Sequence, residues 1–288
     1  MLVLSVCYAG HAQFSDSYAV PDDPGFDKVQ FSLRATNGHC IIEAGSESPL
    51  LEVSNRTNGN IHPQFTENIQ NRVKHVQVIW TDTENGYLTS SFSKRMFTSS
   101  EQSEEPWKVR LSKLKPLDLN LNYTVGDTYI DLSDLPVERL NMRTGSSNVK
   151  IFYSDDMPNR LAMDTFLIKV DMGTLNAQNL HLCRSKNILA DVGFGKVRMD
   201  FGNADDIHTD VVATVGAGSL EVILPQNNIP VRININDSPL CHITIPKDFE
   251  GIEKNVFIAN QNASQSQNYI TFSVDVAVGN IEFKTANQ

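Results

Sequence analysis

The sequence predicts an all-β fold made of stacked repeat units, with a β-helix favoured over an antiparallel meander. Three observations carry this expectation. A strand, tight turn, strand pattern recurs in seven copies along the chain. Five copies place glycine two residues beyond the same turn position, at Gly38, Gly173, Gly195, Gly218 and Gly279. The turns read Val-Gly-Phe-Gly-Lys and Val-Gly-Ala-Gly-Ser, with glycines spaced by one residue, whereas hairpin loops favour Asn-Gly, Asp-Gly or Gly-Gly pairs.

The copies are anchored on Thr36, Gly126, Gly145, Asp171, Gly193, Gly216 and Ala277. At five, three and one residues before these anchors stand Phe31, Leu33, Ala35; Leu121, Tyr123, Val125; Leu140, Met142, Thr144; and Phe166, Ile168, Val170. The last three copies read Ile188, Ala190, Val192; Val211, Ala213, Val215; and Phe272, Val274, Val276. Four and six residues after the anchors come Cys40, Ile42; Ile130, Leu132; Val149, Ile151; Leu175, Ala177; Val197, Met199; Leu220, Val222; and Ile281, Phe283. Alternation at period two sends one set of side chains to a core and the other to solvent. Glycine recurs in the turn where the backbone needs positive φ or lies against a neighbouring copy. From Gly126 to Gly216 the anchors approach the roughly 20-residue lower limit of stacked repeat architectures. One unit of that size cannot bury its own apolar face, so neighbours must stack.

Between Ala44 and Leu111 the repeat blurs into a polar stretch that holds His62, the strand-like Val76–Trp80 and the acidic run Glu101 to Glu105. A stacked sheet exposes unpaired edges at its ends, so residues 13–111 are expected to form an N-terminal β region that caps or flanks the stack, and 112–288 the repetitive domain. Residues 225–266 interrupt the repeat again. Val231, Ile233 and Ile235 keep the alternation there, which predicts a degenerate coil followed by a loop.

The segments Val192-Gly-Phe-Gly-Lys-Val197, Val215-Gly-Ala-Gly-Ser-Leu220 and Val276-Ala-Val-Gly-Asn-Ile281 resemble the repeats of toast-rack and putative-adhesin domains of bacterial cell envelopes. They are similar to the C-terminal domain of cell-wall-active-antibiotics response proteins. The resemblance is clearest from about Leu119 to the C-terminus and fainter over the first hundred residues. It implies a right-handed, largely single-stranded β-helix, or solenoid, with no catalytic residues to carry over. Members of the antibiotic-response branch carry transmembrane helices ahead of this domain, and no such helix is read in this sequence.

At the N-terminus, Leu2–Ala9 is a short apolar run, followed by the small residues of Gly10-His11-Ala12 ahead of Gln13. Met1 to Ala12 reads as the end of a secretory signal peptide, and its missing basic region points to a start further upstream. A lipoprotein reading through Cys7 is the weaker alternative, since Val6 is bulky where a small residue should precede the modified cysteine. No stretch approaches the roughly 18 apolar residues of a membrane span. The expected location is therefore the periplasm or cell surface. Three cysteines remain after Ala12: Cys40 at a core position, Cys183 and Cys241. Histidine neighbours each of them, in His39-Cys40, His181-Leu182-Cys183 and Cys241-His242. Adjacent strand residues point to opposite faces, so His39 with Cys40, or Cys241 with His242, cannot share one metal. No metal or other cofactor is expected.

The carboxylates group as Asp127, Asp131, Asp134; as Asp155, Asp156; and as Asp205, Asp206, Asp210. Aspartate favours turns and solvated strand faces. Parallel β-helices acting on acidic polysaccharides also align aspartates on one face, sometimes with calcium. Asp155, Asp156, Asp205 and Asp206 are the candidate glycan or calcium contacts. No GxSxG elbow, GxxxxGK[ST] loop or strand-GxGxxG-helix unit occurs, and the sequons at Asn55, Asn122, Asn236 and Asn262 are expected by chance in an Asn-rich chain. With 24 Lys and Arg against 34 Asp and Glu, a net charge of −10 argues against nucleic acid and anionic membrane surfaces. The expectation is an exported, non-enzymatic envelope protein for adhesion, scaffolding or recognition of a protein or glycan partner. The alternatives are a polysaccharide-binding or polysaccharide-cleaving β-helix and a regulatory component of an envelope-stress system.

Overall fold

The computed structural model describes residues 16–37, 39–55, 63–80, 106–154, 156–202, 204, 207–225, 229–236, 238–260 and 268–285. The signal segment 1–12 with Cys7, Gly38, His62 and the acidic run 101–105 lie outside the described residues. In chain order the strands are β1 (Asp16–Val20), β2 (Lys28–Asn37), β3 (Cys40–Ala44), β4 (Leu51–Asn55), β5 (Gln64–Gln70), β6 (Val73–Trp80), β7 (Trp107–Leu111), β8 (Leu117–Asp131) and β9 (Val137–Phe152). They continue as β10 (Thr165–Ala177), β11 (Asn187–Asp200), β12 (His208–Leu224), β13 (Val231–Asn236), β14 (Cys241–Thr244), β15 (Glu250–Glu253), β16 (Val256–Ala259) and β17 (Tyr269–Thr285). One 3-10 turn, Leu180–Cys183, interrupts them, and no α-helix occurs among the described residues. The molecule is all-β, and its sheet is not closed.

Strands β8 to β12 pair in sequence and in parallel, and β12 continues in parallel to β17. A meander would pair them antiparallel, so the repeated turns are not hairpins. The 15 residues of β8 would span about 50 Å if straight. The chain nevertheless returns to Val137, the partner of Leu117, through residues 132–136, a link that reaches about 20 Å at most. The strand must therefore double back, and it does so at Gly126, where φ is 139°. Buried residues on both sides of the bend, Leu121 and Ile130 among them, belong to one core.

The glycine row at this bend has two physical causes acting together. Gly195 has φ 142°, and a Cβ there would lie 1.7 Å from the Gly173 carbonyl oxygen of the strand beneath. The row is replaced once, by Ser147, whose hydroxyl donates to the Gly126 carbonyl.

The core positions assigned from the alternation are buried in every copy except at Val125, which is half-buried. That exception exposes a register error. Leu119 pairs with Leu140, Leu121 with Met142 and Tyr123 with Thr144, so the turn residue equivalent to Gly145 is Thr124 rather than Gly126. Gly126 belongs to the glycine row two residues beyond. A two-residue shift keeps every side chain on its original face, so alternation could not detect it. The buried ladder at this level runs Phe31, Leu119, Leu140, Phe166, Ile188, Val211, Phe272 across seven adjacent strands. Aromatic rings meet within the core: Phe272 meets Phe201 and Phe283 edge-on at 5.4 and 5.3 Å, and Trp80 stacks on Trp107 at 4.4 Å. Each such fully buried side chain contributes about 1.5–3 kcal/mol.

Both ends of the stack are built from split strands. At one end β2 and β3 together match β8, and β6 and β7 lie on them in parallel. Antiparallel strands then cover this layer, with β5 on β6, β4 on β7 and β1 on β4. At the other end β17 lies between β12 and the pair β13 and β14, while β16 covers β13 and β15 pairs with β16.

Candidate functional site

The second split level gives the molecule a cleft. The outward positions of β12, β17 and β13 alternate with their core residues, and they align across the strands. Asp275 stands between Thr214 and Asn236, and Ser273 between Val212 and Asn234. Neighbours across the strands are about 4.8 Å apart, and neighbours along one strand about 6.6 Å. The tight turn between β15 and β16 forms the wall. Asn255 there has φ 61°, a conformation asparagine tolerates, and its carbonyl accepts the Ile235 N–H at 2.9 Å. The resulting cleft holds ≈ 490 Å³ and is lined by Val212, Thr214, Asn234, Asn236, Lys254, Asn255, Ser273 and Asp275 with parts of Ile235, Val256 and Val274.

Its chemistry is that of hydrogen-bonding recognition. Asn236 Nδ2 donates to Asp275 Oδ2 at 2.9 Å, and Arg232 Nε donates to Asn234 Oδ1 at 3.0 Å, which orients both amides. Asp275 is the one carboxylate among the lining residues. Most glycoside hydrolysis uses two carboxyl groups about 5 to 9.5 Å apart, so this lining offers polar contacts without that pair.

Of the four aspartates proposed from the sequence, Asp156 alone lies among the described residues, and it does not line the cleft. Asp156 is exposed in the turn after β9, with φ 52°. Asp155, Asp205 and Asp206 lie outside the described residues. The other aspartates serve the turns. Asp131 accepts the Ser133 N–H at 3.0 Å and the Ser154 hydroxyl at 2.7 Å. Asp134 meets Arg160 Nε at 2.6 Å and Lys113 Nζ at 2.7 Å, and these two cations hold its carboxyl down at about 2. Asp127 accepts from Asn148 Nδ2 at 2.9 Å.

No disulfide joins Cys40, Cys183 and Cys241, so Cys183 and Cys241 do not pair. Burial pushes the Cys40 and Cys183 thiols up to about 12, where the reactive thiolate is absent at neutral pH. His39 is exposed beside buried Cys40, on opposite sides of the strand. Among the described residues no cluster of three or more His, Cys, Asp or Glu could hold a metal ion.

The cleft residues were partly legible. Asn234, Asn236, Ser273 and Asp275 are the polar complement of the apolar alternation at Val231–Ile235 and Phe272–Val276. Lys254 and Asn255 gave no such signal, because their turn joins the site only through the antiparallel pairing of β16 with β13.

No described helix is long and apolar enough to cross a membrane. The chain is similar to a putative cell adhesion protein from Clostridium sporogenes ATCC 15579, at 15% identity over 94% of this chain and 99% of that one, with a TM-score of 0.48. It is also similar to a putative adhesin from Bacteroides fragilis NCTC 9343, at 10% identity over 96% and 98% of the two chains, with a TM-score of 0.38. No curated protein matches. The N-terminal domain of toast_rack, DUF2154, matches residues 9–166. That span takes in most of the first hundred residues, where the resemblance is faint and each level is split between two strands. It covers more than half of the chain, which therefore belongs to the toast-rack N-terminal domain family.

Proposed function

We propose that this chain is an exported, non-enzymatic cell-envelope protein that recognises a polar partner, with glycan as the partner class, through the cleft between β12, β17, β13 and the β15–β16 turn. The observation that carries the reading is the grid of amide, hydroxyl, ammonium and carboxylate groups around a cleft with a single carboxylate. Such a grid meets a polyhydroxylated surface with many weak hydrogen bonds and supplies no acid and base pair. Membership of the toast-rack family and the apolar run Leu2–Ala9 ahead of small residues support the envelope setting. A right-handed β-helical path of the chain belongs to the same proposal, supported by the parallel register and the doubled-back strands. Residues 13–111 act in it as the cap of one end.

The test is binding of the purified protein to immobilised envelope polysaccharide, read beside release of reducing ends. Binding without turnover is expected. The double variant Asn236→Ala with Asp275→Ala should weaken binding about tenfold, the loss of one to two hydrogen bonds. Unchanged binding in that variant would overturn the cleft as the site. Alanine at Asp155, Asp156, Asp205 and Asp206 tests the rival face, and loss of binding or turnover there would move the site to it.

A further inference from the structure

At the bend of each long strand one side chain points out of the corner, and these residues stand in a single row. Val125 pairs with Ser146, Ser146 with Met172, Met172 with Phe194, Phe194 with Ala217 and Ala217 with Val278. Five strand spacings make the row about 24 Å long. Met172 is 54%, Phe194 61% and Val278 45% exposed. Isolated exposed apolar residues are ordinary, but a contiguous stripe marks an interaction surface. The bend itself does not require apolar side chains here, since Ser146 occupies the row in β9.

The row is self-complementary. Its midpoint falls between β10 and β11. Reversing it about that point sets Met172 opposite Phe194, Val125 opposite Val278, and the small residues Ser146 and Ala217 opposite each other. Methionine sulfur against an aromatic ring is a favourable contact. The flanking row, three residues earlier on each strand, is polar in the electrostatic sense. Arg143 and Lys169 lie on one side of the midpoint, and Asp191 and Asp275 on the other. The same reversal brings Lys169 opposite Asp191, twice. Lys169 already meets Asp191 of its own chain at 2.9 Å, so two copies would form an alternating cluster of four charges with no like charges opposed. Two-fold association requires one patch to match its own reversed image, and this row does.

We infer that the corner row of β8 to β12 and β17 is a homotypic contact that joins two copies of this chain antiparallel about a two-fold axis between β10 and β11. A patch of this length lies at the small end of specific interfaces, so the dimer is weak and concentration-dependent. It is centred on the bends, and its flanking row ends at Thr214 and Asp275, which also line the cleft, so the cleft lies at the margin of the contact.

Sedimentation equilibrium of the full chain, from about 1 μM to about 1 mM, tests the inference. The weight-average mass should rise from 32.1 kDa towards twice that value. Phe194→Asp should abolish the rise, and Met172→Ser should weaken it while introducing only a residue that β9 already carries in the same row. Lys169→Asp should weaken association at least tenfold. Lys169→Asp combined with Asp191→Lys should restore it, and a denaturant midpoint of Lys169→Asp within error of the parent separates the contact between copies from the ion pair inside one chain. A mass that stays at the monomer value over the whole range overturns the inference and leaves the row to a different partner. Association that survives both Phe194→Asp and Met172→Ser overturns it equally, because another surface must then hold the dimer.

Discussion

At the scale of single residues, the glycine row decides whether the strands can bend and still pair. Gly195 combines φ 142° with a neighbour 1.7 Å from where a Cβ would stand. Side-chain-bearing residues avoid this backbone conformation at a cost of order 1–3 kcal/mol, and the clash is with backbone, which cannot rotate away. Gly195→Ala should therefore destabilise the protein by about 3 kcal/mol or more, read as a lower denaturant midpoint. A midpoint within error of the parent would show that this bend is not constrained as described. The anchor two residues earlier lacks the positive φ. It carries Thr124 and Asp171 as well as Gly193, although a Cβ at Gly193 would still meet the Asp171 carbonyl oxygen at 2.6 Å. The sequence made both rows look alike as glycine-rich turns, and only the dihedral angles separate them.

At the scale of elements, the connection from β8 to β9 is held by ions rather than by apolar packing alone. Asp134 sits in that connection with φ 56° and reaches Lys113 ahead of β8 and Arg160 ahead of β10. One carboxylate thus ties three successive segments. Its folded pKa is depressed from the ordinary 3.8 to about 2. A depressed folded pKa contributes stability that is complete above the unfolded value and is lost as pH falls through the folded one. Stability should therefore drop between about pH 4 and pH 2. In Asp134→Asn that part of the acid limb should flatten, with a lower plateau at neutral pH. Denaturant titrations from pH 6 to pH 2 check this, and parallel limbs in the two proteins would contradict it. The sequence grouped Asp134 with Asp127 and Asp131. What it could not show was that Lys113 and Arg160, 21 and 26 residues away in sequence, converge on that carboxylate when successive turns stack.

At the scale of the molecule, chain order and spatial order part company at both ends. β17 is last in sequence, yet it lies inside the stack between β12 and the split level of β13 and β14. A chain ending at residue 267 should lose more than one strand. It should expose the edge of β12, detach β13 and β14, and aggregate, without a cooperative unfolding transition. A soluble, cooperatively folded 1–267 chain would refute that placement. The sequence by itself determined the all-β class, the core face of every long strand and the scaffolding role of the glycine pairs. Burial side and turn conformation are local properties, written in period two and in residue type. The tertiary structure alone decided the parallel pairing, the true register of the copy around Tyr123, the rungs completed by β6, β7, β13 and β14, and the cleft walled by Lys254 and Asn255. Those depend on which strands meet, and period-two alternation is blind to any shift that leaves a side chain on the same face.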